Sequence, residues 1–165
     1  MNLSPPPVFL EDIAEHLQMA NDGFYQFLHR QTGELFECDR EYWELAEAAQ
    51  DKNERQGNGW EDEMIADALR VQAHLDDYVA LPAQADIHEY NIMESFADQV
   101  ADAQQQAYLY NALRGKGAFR RFKDALTQLD LREAWFAWYF EACLEIARKW
   151  CEDNKIAYTG RDRKP

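Results

Sequence analysis

At 165 residues the chain is long enough for one domain, and a content of 47% hydrophobic and 13% aromatic residues excludes a disordered polymer. Its formal net charge of −14 disfavours general binding to nucleic acid or to an anionic membrane. Three cysteines without a CxxC or metal spacing, Cys38, Cys143 and Cys151, suit a reducing compartment rather than a disulfide framework.

The opening MNLSPPPVFLED has neither the basic n-region nor the apolar h-region of a signal peptide. The longest apolar run, AWFAWYF, is far short of a membrane span. A cytoplasmic protein without membrane contact is expected, with a stiff Pro-rich arm over residues 1–7.

VFLEDIAEHLQMA reads as a short amphipathic helix with Ile13, Ala14 and Leu17 on one face, stopped by Asn21-Asp22-Gly23. GFYQFLHR and ELFECD flank QTG, the pattern of a β-hairpin. REYWELAEAAQ reads as helix, residues 51–59 as an exposed loop, and WEDEMIADALRVQAHL as a helix with acids in its first turn. DDYVALP predicts a third strand on the hairpin, ended by Pro82. From Ile87 the chain is helical, in two helices or one with a kink, and Gly115 is placed to close the second period. Phe119, Phe122, Leu126 and Leu129 predict one face of a further helix. The final helix, from about Leu131 to Asp153, is apolar around most of its circumference and is expected at the centre of the core. Residues 160–165 read as a flexible tail. The architecture predicted is α+β: a single mostly helical domain over 1–165 with a small antiparallel sheet in its N-terminal half.

The charge is divided unevenly. Residues 1–113 hold 5 Lys/Arg against 23 Asp/Glu, a net of −18, and residues 114–165 hold 12 against 8, a net of +4. The sharpest feature is RGKGAFRRFKD at 114–124, with five basic residues and two glycines in eleven positions. Lys116 falls in a turn between helices, with Phe119 and Phe122 expected in the core and Arg120, Arg121 and Lys123 outside. Cations at a helix start are electrostatically unfavourable, and the free amides there also seek an acceptor. Two readings stand. In one, the protein's own carboxylates, such as Asp98 and Asp102 or the Asp76-Asp77 pair, fold against the turn. In the other, an external anionic group meets Lys116, Gly117, Arg120, Arg121 and Lys123. The run is not a P-loop, because it lacks G-x-x-x-x-G-K-[ST] and lies between helices rather than after a strand.

GKGAFRRFKD, followed by a Trp-rich helix and an ARKW-type ending, resembles an uncharacterised bacterial protein family (UPF, number 158). QTGEL and DYVALP are similar to that family's other landmarks, so the resemblance extends over most of the chain. It implies no activity and no site residue that could be carried over.

The other chemistry-bearing residues form no motif. His16, His29, His74 and His88 are scattered without metal spacing. Glu61, Asp62, Glu63 and Asp67 lack an alternating calcium-loop pattern and sit at a helix start, where acids belong. Cys143 reads as inert packing. Cys151 lies nearer Arg148 and Lys149 but has no nucleophile context. Glu141 and Glu145 read as partners of Arg148 and Lys149. No catalytic residue, cofactor or metal is therefore assigned. The function expected is a small acidic regulatory or protein-interaction module, with an acidic face for a protein partner of basic surface and the basic turn as a second contact. The alternative is a binder of RNA, nucleotide or another phosphorylated ligand through that turn. A hydrolase or transferase would need a pocket holding carboxylates of raised pKa.

Overall fold

The computed structural model describes residues 4–52 and 60–160. Of the loop expected over 51–59, residues 51 and 52 belong to the helix Arg40–Lys52 and 53–59 lie outside the described residues, as do 161–165 of the tail expected over 160–165. The arm from Ser4 to Pro7 is exposed coil.

Val8–Phe9 form a short strand, β1, rather than the start of the first helix, and pair in parallel with β5 at Tyr158–Thr159. A chain leaving a proline run is already extended, and β-branched Val8 keeps it so before the helix begins. Helix α1 then runs over Leu10–Gln18 with Glu11 and Asp12 in its first turn. Ile13, Ala14 and Leu17 are fully buried along one face. The stop follows at Asn21, whose Oδ1 accepts the Gly23 amide at 2.7 Å.

The hairpin comprises β2 (Phe24–His29) and β3 (Leu35–Asp39), with β4 (Tyr78–Ala80) antiparallel on the other side of β2. Gly33 takes φ 73° in the turn, and His29 Nδ1 accepts the Gln31 and Thr32 amides, each at 3.2 Å. Alternation along these strands gives the sheet two apolar faces. Leu28 stands opposite Leu35 and Val79 and packs on the larger core. Tyr25, Phe27, Phe36 and Cys38 point the other way, onto a smaller core built by α2 (Arg40–Lys52) and α3 (Trp60–Ala73). There Trp43 stacks on Phe27 with ring centroids 5.0 Å apart, over Ala46, Ala68 and Val71. A single 3₁₀ turn at Leu75–Asp77 leads from α3 into β4.

The larger core is helical. A one-turn α4 (Gln84–Ile87) ends at His88 with φ 53°, and α5 (Glu89–Gln99) and α6 (Ala103–Ala112) follow as two separate helices. Asp102 caps α6, its carboxylate accepting the Gln104 and Gln105 amides at 3.0 and 2.9 Å. Helices α7 (Ala118–Gln128) and α8 (Arg132–Asp153) complete the layer.

Helix α8 packs on the larger core along one face and leaves some of its apolar residues outside. Its inward seam is Trp135, Cys143, Ala147 and Cys151, while Trp138, Tyr139, Phe140 and Trp150 are only partly covered and Phe136 is 52% exposed. Indole groups need a hydrogen-bond acceptor when covered, and both partly buried ones find it across the fold. Trp138 Nε1 donates to Ser95 Oγ at 3.2 Å, and Trp150 Nε1 to the Ala80 carbonyl at 3.0 Å. The second bond ties α8 to the sheet. Glu145 pairs with Arg148 one turn along, at i+3 rather than the i+4 spacing expected.

Candidate functional site: the basic turn between two helices

Five residues, Leu113 to Gly117, join α6 to α7. Gly115 and Gly117 both adopt left-handed backbone, at φ 71° and 75°, where a side chain would be strained. A Cβ at Gly117 would also lie 3.3 Å from Arg121 Nη1. The two glycines let the chain reverse in so short a link.

Arg121 holds the turn closed. Its Nε donates to the Ala112 carbonyl at 3.2 Å, and its two Nη atoms donate to the carbonyls of Lys116 and Arg114. The planar guanidinium thus satisfies carbonyls left over at the end of α6 and in the turn itself. These acceptors are neutral, so the charge of Arg121 is solvated by dipoles and not cancelled.

The helix behind the turn differs from expectation at one aromatic. Phe122 is fully buried, whereas Phe119 is 45% exposed. Ala118, Phe122, Ala125 and Leu126 form the inward seam, because α7 enters from left-handed Gly117 with Ala118 turned to the inside. Phe119 therefore stands outside among the cations, one turn from Lys123.

The carboxylates proposed as internal partners make no ion pair with the turn among the described residues. Asp98 accepts a hydrogen bond from the Tyr110 hydroxyl, a contact that raises the Tyr110 pKa above its ordinary value. Asp102 caps α6, and Asp76 and Asp77 lie in the 3₁₀ turn beside β4. Among the described residues the ion pairs are Arg70 with Asp67, Arg148 with Glu145, and Lys123 with Glu89 at 3.7 Å. Of the five cations, only Lys123 reaches a carboxylate among the described residues. Arg114, Lys116 and Arg120 are exposed, and the N-cap of α7 is Gly117, which has no side chain to cap it.

A family model described as Uncharacterised protein family (UPF0158) matches residues 58–164. The chain belongs to this family. The match takes in β4, the basic turn and α8, while the QTGEL hairpin precedes it. A Pseudomonas aeruginosa relative, UPF0158 protein PA5073, is 32% identical over 71 residues, or 42% of this chain and 46% of that protein. The chain thus matches less than half the length of this UPF0158 relative. No solved structure matches the chain.

Elsewhere in this UPF0158 chain the titratable groups do not converge. Among the described residues, no group of three or more His, Cys, Asp or Glu side chains is placed to hold a metal ion, and no helix is long and apolar enough to cross a membrane. Cys38, Cys143 and Cys151 are all buried, and burial pushes each thiol up to about 11 from an ordinary 9.0. They are protonated at neutral pH and therefore poor nucleophiles. Sequence reasoning missed an open cavity of about 360 Å³ beside Lys123, lined by residues of α1, α4, α5, α7 and α8. Its lining comes from distant segments, and only the exposure of Met19 and Phe136 marks it.

Proposed function

We propose that the protein is an interaction module that docks an anionic group of a protein partner on Lys116, Gly117, Arg120 and Lys123, with Arg121 holding the turn in shape. The observation that carries this reading is the lack of compensation: in a chain of net charge −14, Arg114, Lys116, Arg120 and Arg121 have no carboxylate within ion-pair distance among the described residues. An acidic protein that leaves four neighbouring cations unpaired keeps their electrostatic energy available for a partner. At physiological salt the field of more distant acids is damped over about 8 Å, so a docked carboxylate responds mainly to the local cations. The surplus of acids in residues 1–113 supports a second surface for a basic partner.

A phosphorylated ligand is the second reading. It is favoured by the uncapped start of α7, where backbone amides and the macrodipole add to the side-chain charge. Fluorescence anisotropy with a labelled glutamate-rich peptide, and separately with an RNA oligonucleotide and inorganic polyphosphate as competitors, tests both. The first reading expects peptide binding that weakens with salt and is lost in Lys116→Ala/Arg120→Ala. Binding of RNA or polyphosphate without the peptide selects the second. Absence of any salt-sensitive binding overturns both.

A further inference from the structure

The cavity beside Lys123 joins an apolar surface to the basic turn. Its apolar walls include Met19 at the end of α1 and Trp135, Phe136 and Tyr139 on α8, while Lys123 and Glu89 face it with their ion pair. Met19 is 72% exposed and Phe136 more than half exposed, whereas Trp135 beneath them is buried. The Arg132 guanidinium carbon lies 5.8 Å from the Phe136 ring centroid, setting a second cation beside that aromatic wall. Lys123 keeps most of its side chain in solvent, and its 3.7 Å contact with Glu89 leaves donors of the ammonium group available to another acceptor.

We infer that this cavity is a docking pocket for one large apolar side chain of an acidic partner segment, whose flanking carboxylates meet Lys123, Arg132 and the basic turn. The inference rests on the reading of that turn as an anionic contact and names the other half of the contact. Three features select this occupant. The pocket holds a side chain rather than a whole helix, at about 360 Å³. A flexible methionine beside aromatic rings adapts to apolar groups of different shape. Lys123 lines the pocket with Arg120 one turn before it on α7, while Arg132 lies over Phe136 on α8, so carboxylates flanking the apolar residue find cations on two helices.

The test uses the full chain with methionine methyl groups labelled with ¹³C. Met19 reports the pocket, and fully buried Met93 serves as an internal reference. The probes are three short synthetic peptides: one tryptophan flanked by glutamates, the same peptide with alanine for tryptophan, and the tryptophan peptide with glutamines for the glutamates. The expected result is that only the first shifts the Met19 resonance and leaves Met93 in place. Its affinity should fall roughly tenfold or more in Phe136→Ala, the scale set by losing half of an aromatic contact. Met19→Glu is a second variant at an exposed position, so a folding defect in one does not remove the test. If the alanine peptide binds as tightly and Met19 does not move, the pocket inference fails while the basic turn stands. Should the glutamine peptide shift Met19 equally, the pocket is apolar without acidic selection and the inference is overturned. If no peptide binds, the reading of the turn itself has failed and the pocket inference falls with it. Concentration-dependent Met19 shifts without peptide would identify a second copy as the occupant and overturn the inference.

Discussion

A single side chain shows how the basic turn separates fold from function. Arg121 spends its donors on three backbone carbonyls, whereas Arg120 beside it makes no ion pair among the described residues. Arg121→Ala leaves those carbonyls to water and should cost about 1–2 kcal/mol, read as a lower urea midpoint. Lysine at the same position recovers only part, since an ammonium cannot span three carbonyls in one plane. Arg120→Ala should stay within about 0.5 kcal/mol of wild type, the usual effect at an exposed site. Equal losses in both variants would show the whole run to be structural. The composition of the turn was legible in the sequence, and so was the role of Gly115. The division of labour between adjacent arginines was not, because it depends on which residue points back over the end of α6.

The buried thiols give a pH dependence at the same scale. Burial is the first cause of the raised pKa of Cys38, Cys143 and Cys151. The folded state therefore holds these protons more tightly than the unfolded chain does. Their contribution to stability is fully present below about 9.0 and is lost as pH rises through about 11. Tyr139, raised chiefly by burial, acts in the same direction at higher pH. Denaturation midpoints measured across this alkaline range should fall steadily, and a thiol reagent at neutral pH should react only after unfolding. Rapid labelling of the native protein would contradict the burial.

At the scale of elements, α8 acts as a beam with one load-bearing face. Trp135 touches Phe96, Phe122 and Tyr139, with ring centroids 5.5, 5.2 and 5.4 Å away. Its replacement by alanine should cost about 3–5 kcal/mol, the range for emptying an aromatic site in a core. Phe136, the next residue, should cost less than about 1 kcal/mol on the same change, because it leaves no buried cavity. Thermal unfolding of the two variants measures the contrast, and comparable losses would place Phe136 in the core. Hydrophobicity alone made the helix look apolar around most of its circumference; only the packing of α1, α5 and α7 on one side distinguishes the two aromatics. The hairpin was legible because QTG and the alternation of Phe, Tyr and Leu specify both turn and period. The third strand was legible from Tyr78-Val79 and Pro82. The β1–β5 pair was not, since two residues at each end of the fold carry no periodic signal. Phe119 was misplaced for a related reason: seams through 118 and 119 both have helical spacing, and the left-handed entry at Gly117 chooses between them.

At the scale of the molecule, the uneven charge along the chain does not close as ion pairs around Arg114, Lys116, Arg120 and Arg121 among the described residues. The net of +4 in residues 114–165 stands against −18 in the rest, yet among the described residues only Lys123 of the basic turn meets an acid, Glu89. Two of the acids that the sequence offered as partners have a nearer use, Asp102 at a helix start and Asp98 with Tyr110, while Asp76 and Asp77 lie in the turn before β4. Such local competition depends on where each helix begins, which charge counting does not register. The consequence is that the turn can be neutralised with little loss of stability. The most direct measurement is thermal unfolding of wild type and Lys116→Ala/Arg120→Ala at low salt, each with and without the glutamate-rich peptide. The account predicts equal midpoints for the two free proteins and a peptide-induced rise in wild type alone, as binding to the folded state requires. A double variant that melts several degrees lower, with no response to peptide in either protein, would contradict it and make the turn an internal clasp.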